Sequence, residues 1–326
     1  MLETFIEGNR LHIGERFSVS FQRTLRLPDD GTNYPLPPGL GLFPMHRVED
    51  FQDRATDLMK EYGGVFIPMY QREALWLGFS AAGWKPNAVK VGVGRVNAIS
   101  GDAWDNQLRG QPQDYIVCPD QPWLDGINAG EGYIRQFVAM PLGLGYTVEA
   151  QLTGEEIWGG VQLLVFEPKP GRFPDKPPLK PKTDFQTYPM MGMQAGAGGE
   201  QMGLGVGGRM IQKIYPDPYG VETWDENNSG SVFVHIVNSE QYFDLTGRRP
   251  PPTPVNAKTY VEFGLPWFEL YDEAEGDIHP SEKLAGVKSI DEKSGSGKLP
   301  DVDNESRLDI KPSQVLGIKH DKKREM

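Results

Sequence analysis

Acidic and aromatic residues are interspersed through residues 102–125, and their types are the best suited to chemistry in this chain. They are Asp102, Trp104, Asp105, Asp114, Asp120, Trp123 and Asp125. Two carboxyl groups about 5–9.5 Å apart can hydrolyse a glycosidic bond, and indole rings offer flat apolar platforms. The pattern therefore predicts either an acid–base pair, Asp120 and Asp125, or a non-catalytic contact made by these acids with Trp104 and Trp123. A third interpretation is structural, with the aspartates as turn caps and the tryptophans covering the core.

Eight glycines fall within residues 192–208, which raises the question of phosphate binding. A dinucleotide-binding glycine loop must follow a strand and open a helix. Here Gly203, Gly205 and Gly207 precede Arg209 and a stretch whose alternation is typical of a strand, and no Gly-Lys-Ser/Thr follows. The sequence therefore predicts no cofactor. We interpret the segment as a flexible or tightly packed loop whose glycines, with Arg209, contact a partner.

Histidine and cysteine are scarce, with five histidines and one cysteine in the chain. No two histidines have the close spacing of a zinc motif, and Cys118 has no second cysteine beside it. No Gly-x-Ser-x-Gly elbow is present. We expect Cys118 to be a small buried hydrophobe and His235 to be a hydrogen-bonded strand residue. The sequence predicts neither a metal site nor classical nucleophilic hydrolysis.

The chain is acidic, with 33 basic and 45 acidic residues and a formal net charge of −12. Nucleic-acid-binding domains usually carry a basic stripe, whereas the dense basic run here is confined to residues 319–324. No apolar run is long enough for a membrane-spanning helix, and residues 1–7 lack the pattern of a signal peptide. A single cysteine favours a reducing compartment. We expect a soluble cytoplasmic protein that does not bind nucleic acid and does not span a membrane.

Glycine and proline together make up about a fifth of the chain, which excludes a helical bundle and favours short strands joined by turns. Alternating apolar residues predict strands at 12–27, 64–70, 73–80, 87–97, 113–118, 131–140, 146–152, 157–167, 209–215, 231–238 and 268–271. Helical spacing and caps predict helices at 47–61, 239–247 and 256–263. The predicted fold is mainly β, an antiparallel sandwich or jelly roll with a few short helices and a polar C-terminal tail.

Composition also predicts the domain organisation. We expect an N-terminal β-rich domain at 1–167, a Pro-rich connector at 168–183, a C-terminal β-rich region at 184–290 and a polar, flexible tail at 291–326. The connector contains six prolines, which favour an extended, semi-rigid chain. The two β-rich regions are expected either to stand apart or to pack as one unit.

Four long strings carry a resemblance to other proteins. They are residues 64–76 (GVFIPMYQREALW), 112–143, 202–210 (MGLGVGGRM) and 214–220 (IYPDPYG). Together they resemble a group of uncharacterised microbial proteins over about residues 60–290. The resemblance implies that this region works as one unit, and it implies no activity and no functional residue.

The leading functional hypothesis is a non-catalytic binding or self-assembly component, whose partner is another protein or a second copy of the chain. The alternative is a carbohydrate-active enzyme or glycan-binding protein with an Asp/Trp-lined loop cleft. A small-molecule carrier with an enclosed apolar pocket is a third hypothesis.

Overall fold

The computed structural model describes residues 1–177, 201–252, 257–271, 276–294 and 308–319. The strands are β1 Thr4–Glu7, β2 Arg10–Ile13, β3 Phe17–Thr24, β4 Asn33–Tyr34, β5 Gly39–Leu42, β6 His46–Arg47, β7 Val65–Met69, β8 Ala74–Ser80, β9 Asn87–Val93, β10 Val96–Asn97, β11 Ile116–Cys118, β12 Trp123–Leu124, β13 Gly126–Gly130, β14 Tyr133–Pro141, β15 Val161–Pro168, β16 Met202–Ile211, β17 Trp224–Asn238, β18 Trp267–Tyr271 and β19 Val315–Lys319. The helices are α1 Asp57–Tyr62, α2 Val148–Thr153, α3 Ser239–Thr246, α4 Ala257–Glu262, α5 Glu282–Ala285 and α6 Ile290–Ser294. The prediction of a mainly antiparallel β fold with short helices is confirmed.

Seventeen of these strands are joined by hydrogen bonds into one extended sheet, and β18 and β19 form a separate parallel pair. One run of neighbours is β2, β3, β8, β14 and β16, all antiparallel. A second run is β9, β15, β17 and β7, in which β17 and β7 are parallel. The runs meet where Met202 pairs with Ile236. This pairing is compatible with the predicted sandwich.

One apolar core receives side chains from both runs of strands. Alternate residues of β3, such as Val19 and Phe21, are fully buried in the same cluster as Val91 of β9 and Leu163 of β15. Successive side chains of a strand point to opposite faces, so this cluster collects one face of each run. The alternation that predicted these strands is therefore the pattern that builds the core.

The prediction of a strand at 146–152 is wrong, because this segment contains helix α2. Thr147 begins the helix, and its side-chain oxygen accepts a hydrogen bond from the backbone N–H of Ala150 at 3.0 Å. Gly154 ends it in the left-handed conformation, with φ of 81°. The short apolar alternation of this segment is also found in strands, but a cap at each end stabilises the helix.

The prediction of a loop at the glycine-rich segment is also wrong for its described part. Gly203, Gly205 and Gly207 lie within the ten-residue strand β16, and residues 190–200 lie outside the described residues. Met202, Leu204 and Val206 alternate with the glycines and are buried in the core. The segment is a strand because its even positions supply a regular apolar face.

The helix predicted at 47–61 is interrupted. A 3₁₀ turn covers Val48–Phe51, and α1 begins later, where the side chain of Thr56 accepts a hydrogen bond from the backbone N–H of Met59. A polar cap in the middle of a helical pattern starts a new helix.

The described helices are all short, and none of them could span the apolar interior of a membrane.

Strands on the two sides of the Pro-rich segment share the extended sheet. β16 pairs with β14, and β17 pairs with β15 and β7. Of the predicted tail, residues 291–294 belong to α6 and residues 315–319 form β19, while 295–307 and 320–326 lie outside the described residues.

Candidate functional site

An apolar cavity of about 190 Å³ opens where the proline-containing loop at residues 35–38 meets strands β8, β12 and β18. It is lined by Leu36, Pro37, Pro38, Gly39, Trp76, Trp123, Asp125 and Phe268. An engineered apolar cavity of about 150 Å³ holds one benzene molecule, so this volume matches a single six-membered ring. The cavity brings together Trp123 and Asp125, which the sequence predicted as site residues.

Two indole rings form one wall of the cavity. Trp123 of β12 pairs with Gly78 of β8, and its ring meets that of Trp76 edge to face, with centroids 6.4 Å apart and planes at 67°. A Cβ at position 78 would lie 3.1 Å from Cζ3 of Trp76. Glycine at 78 therefore leaves room for the Trp76 ring along its own strand. The pairing of Trp123 with Gly78, and the absence of a side chain at Gly78, together position the two indole rings.

The facing wall is held by backbone hydrogen bonds. Leu36 and Phe268 exchange two of them, from Leu36 N to Phe268 O at 2.8 Å and from Phe268 N to Leu36 O at 3.0 Å. The carbonyl of Pro38 accepts a third, from the Thr24 hydroxyl at 2.9 Å. The first two bonds attach β18 to the loop at residues 35–38 and place Phe268 at the cavity, and the third attaches the same loop to β3.

Asp125 supplies the one ionisable side chain among the described residues that line the cavity. It is only 4% exposed, and Gln212 holds it twice. Its backbone N–H donates to Gln212 Oε1 at 3.1 Å, and Gln212 Nε2 donates to its Oδ2 at 3.2 Å. Burial raises the pKa of Asp125 well above its ordinary value. The protonated carboxyl is favoured, and it can both donate and accept a hydrogen bond.

Asp120 lies outside this cavity, on the half-buried loop between β11 and β12. Burial first, and then the charge of Asp120, raises the pKa of Cys118 and of Tyr219. The pKa of Asp125, in contrast, is raised by burial without a contribution from another charge. Of the two predicted acids, only Asp125 lines the cavity, and no second carboxyl group is found among its described lining residues.

Trp104 packs elsewhere, over β9. A Cβ at Gly92 would lie 2.6 Å from Cε3 of its ring, and Nζ of Lys90 lies 5.7 Å from the ring centroid. The buried Lys90 ammonium is 2.9 Å from carboxylate oxygens of both Asp105 and Asp114. Trp104 thus covers a buried ion pair and does not belong to the cavity.

The glycine face of β16 is covered by the chain itself. A Cβ at Gly203 would lie 2.8 Å from Thr147 Cγ2, and one at Gly205 would lie 2.9 Å from the carbonyl oxygen of Tyr146. A Cβ at Gly207 would lie 2.8 Å from a methyl group of Val138. These glycines permit close packing and are not available to a partner.

Arg209 is the one predicted residue of this stretch that is not fully buried. It lies opposite Arg135 in the pairing of β14 and β16. Its guanidinium carbon stands 4.9 Å from the ring centroid of Tyr133. Arg209 therefore differs from the three glycines, as a half-buried cation stacked on an aromatic ring.

The remaining reactive side chains are structural. Cys118 is fully buried, its thiol donates to the Gln121 carbonyl at 3.4 Å, and burial raises its pKa. His235 contacts the carbonyl of Gly63 through Nε2 at 2.9 Å, and burial lowers its pKa to about 4. In the described ranges no group of three or more His, Cys, Asp or Glu side chains is placed to hold a metal ion.

A wider groove of about 810 Å³ runs between residues 99–113 and 277–283. Lys283 pairs with Asp102 at 2.5 Å, and Asp277 accepts from the backbone N–H of Gly132 and Ile214. The exposed residues His279 and Glu282 also line the groove. We place the candidate site in the smaller aromatic cavity, because Trp123 and Asp125, both predicted as site residues, line it.

Two aromatic residues of the cavity, Trp76 and Phe268, were among the lining residues that the sequence predictions missed. Trp76 carried a usable signal, because it falls on the opposite face of its strand from the core residues Leu75 and Leu77. A large aromatic residue on the face away from the core suggests a binding surface. Phe268 carried none, since its place depends on the pairing of two segments far apart in the chain.

Comparison of the chain with family models, with curated proteins and with solved structures found no match.

Proposed function

We propose that this protein is a non-catalytic binding protein that receives a six-membered ring of its ligand in the cavity between Trp76 and Trp123. The observation that carries this proposal is a cavity of one-ring size whose wall combines two indoles with a single buried carboxyl. Apolar walls with one polar group are typical of sites that bind by shape and orient by one hydrogen bond.

Binding without catalysis is supported by the number of acids. Glycoside hydrolysis needs two carboxyl groups that face the scissile bond. Asp125 is the only ionisable side chain among the described lining residues, and its protonated form is favoured. A lone neutral acid can hold a hydroxyl or carbonyl oxygen of the ligand but has no partner to activate water.

The walls favour an apolar ring with one polar group over a fully hydroxylated one. Leu36, Pro37, Pro38 and Phe268 face the indoles, and each unpaired hydroxyl of a buried sugar would cost binding free energy. A glycan unit is the second candidate ligand, because an indole face can stack on a pyranose and Asp125 can hold one hydroxyl.

Saturation-transfer NMR on the full chain tests this proposal, with phenol, cyclohexanol and methyl β-D-glucopyranoside as probes. We expect saturation transfer to phenol and its loss in Trp123→Leu, which keeps apolar volume but removes the indole. Trp84→Leu is the matched control, since Trp84 lies away from the cavity beside Arg16, and this variant should bind phenol normally.

Two outcomes decide between the candidates. Stronger transfer to the glucopyranoside than to cyclohexanol would favour the glycan. Absence of transfer to all three probes, or equal transfer in folded Trp123→Leu, would refute the proposed cavity function. Circular dichroism of each variant establishes that it is folded.

A further inference from the structure

Arg95 occupies a turn position that suits glycine or asparagine. It forms the two-residue turn between β9 and β10 with Gly94, and Val93 pairs directly with Val96. The φ angles of Gly94 and Arg95 are +57° and +59°, as in a type I′ hairpin turn. A long side chain in the left-handed region is strained, and such strain is concentrated at functional sites. The side chain of Arg95 therefore needs an explanation.

That side chain is held against two aromatic rings. The guanidinium carbon lies 3.9 Å from the ring centroid of Trp158 and 5.4 Å from that of Tyr62. The two rings meet edge to face, with centroids 5.1 Å apart and planes at 79°. We call Arg95, Trp158 and Tyr62 the aromatic clamp. The adjacent Ile157 is 50% exposed, so the clamp borders open apolar surface.

Buried groups fix the backbone of the clamp in place. The carboxylate of Glu149, buried beneath it, accepts hydrogen bonds from the three backbone N–H groups of residues 157–159 at 2.8–2.9 Å. The backbone N–H of Arg95 donates to Gln162 Oε1 at 2.7 Å, and the backbone carbonyl of Arg95 accepts from the N–H of Trp104 at 2.9 Å. These bonds hold in place the backbone that carries Arg95 and Trp158.

The guanidinium donors of Arg95 are unpaired within the described part of the chain. No side chain or carbonyl there accepts a hydrogen bond from them, and Nε is buried without a partner. The Glu149 carboxylate beneath the clamp is already occupied by three backbone N–H groups. The two Nη atoms make no hydrogen bond within the described residues and are not fully buried, so they are accessible to an acceptor from outside the chain.

We propose that the aromatic clamp is a second binding site, which takes a carboxylate group carried on an apolar or aromatic body. The planar fork of an arginine matches the two oxygens of a carboxylate. Trp158 and the neighbouring exposed Ile157 offer apolar surface to the body that carries it. The site is independent of the cavity between Trp76 and Trp123.

Titration of the ¹⁵N-labelled full chain with benzoate, benzamide and phenyl phosphate tests the clamp, with the indole N–H of Trp158 as the reporter. We expect benzoate to shift this signal saturably, and the uncharged benzamide to bind at least about tenfold more weakly. Arg95→Lys keeps the charge but loses the fork, so it should weaken benzoate binding.

Arg95→Asn is the decisive variant, because asparagine suits a left-handed turn. It should lose benzoate binding while its melting temperature stays the same or rises, so the loss cannot come from unfolding. Arg16→Asn is the matched control. Arg16 also stacks on a tryptophan, Trp84, but is paired with Glu167, and its replacement should leave benzoate binding unchanged.

Three results would overturn the proposal. One is equal binding of benzoate and benzamide, and another is benzoate binding retained in Arg95→Asn. The third is tighter binding of phenyl phosphate than of benzoate, which would assign the clamp to phosphate groups instead.

Discussion

Asp125 illustrates how one buried carboxyl can serve recognition instead of reaction. Its partner is the neutral amide of Gln212, and its pKa is raised by burial with no cation to oppose the shift. A carboxylate buried without a cation is costly, and keeping the proton avoids that cost. The resulting group resembles a side-chain amide, with one donor and one acceptor, in a residue that lines a hydrophobic cavity.

This resemblance predicts the effect of two substitutions at position 125 on phenol binding. Asp125→Asn should keep affinity within about threefold of the original, because the amide retains a donor and an acceptor. Asp125→Leu should weaken binding by about fivefold, since one hydrogen bond contributes about 1 kcal/mol. Fluorescence or NMR titration measures both. Equal affinity in Asp125→Leu would show that the carboxyl does not contact the ligand.

Strand β16 contains several glycines because neighbouring segments pack closely against it. Its even positions, Met202, Leu204 and Val206, fill the core, while Gly203 and Gly205 lie against the segment that leads into α2 and Gly207 lies against Val138. A side chain at any of these three glycines would collide with its neighbour. The same argument applies most strongly to Gly208, where a Cβ would lie 2.1 Å from the carbonyl oxygen of Pro28.

Alanine at position 208 is therefore expected to destabilise the sheet. Gly208→Ala should lower the free energy of unfolding by about 1–3 kcal/mol, because the collision is with backbone and not with a flexible side chain. Urea denaturation measures the difference. Gly110→Ala is the control, since its Cβ would meet Val221 at an ordinary 3.4 Å. An unchanged midpoint for Gly208→Ala would contradict the close packing described for β16.

The whole molecule couples distant parts of the chain into one core and one cavity. Strands β16 and β17 complete a sheet begun by β3 and β8, and Phe268 closes a cavity that begins at Leu36. Global unfolding therefore reports on buried groups anywhere in the core. His235 is one of these groups, stacked on Phe233 with ring centroids 4.3 Å apart and bonded to the Gly63 carbonyl.

His235 predicts a loss of stability in acid. Burial lowers its pKa from 6.5 to about 4, so between these values the unfolded chain binds a proton that the folded chain does not. The free energy of unfolding therefore falls as pH drops from about 6.5 to 4, by on the order of 3 kcal/mol. Denaturant titrations across this range should show a flatter dependence for His235→Gln, whose amide can still donate to Gly63.

Comparison with His235→Gln is needed because Asp29 changes the free energy of unfolding in the opposite direction over the same pH range. Burial, more than any nearby charge, raises the pKa of Asp29 to about 6, so its contribution to stability declines as pH rises towards 6. The difference between the original chain and His235→Gln cancels this contribution. Identical pH dependences for the two would show that His235 does not carry the acid sensitivity.

The fold class and two of the eight residues that line the cavity followed from local pattern. Alternation along β3, β8 and β9 is a property of neighbouring residues, so these strands could be predicted. Trp123 and Asp125 lie two residues apart and were recognised together for the same reason. The burial of Cys118 and the hydrogen-bonded role of His235 likewise follow from the apolar residues around them.

Tertiary structure alone decided which distant residues meet. Residues 142–147 and Val138 cover three glycines of β16, and the cavity exists because Trp76 and Phe268 reach Trp123. The sequence predicted one strand over 87–97, and only the tertiary structure shows Arg95 in a turn beside Tyr62 and Trp158. Strand register and side-chain packing act between segments far apart in the chain, whereas the periodicity of a sequence reports only on which face of its own element each residue lies.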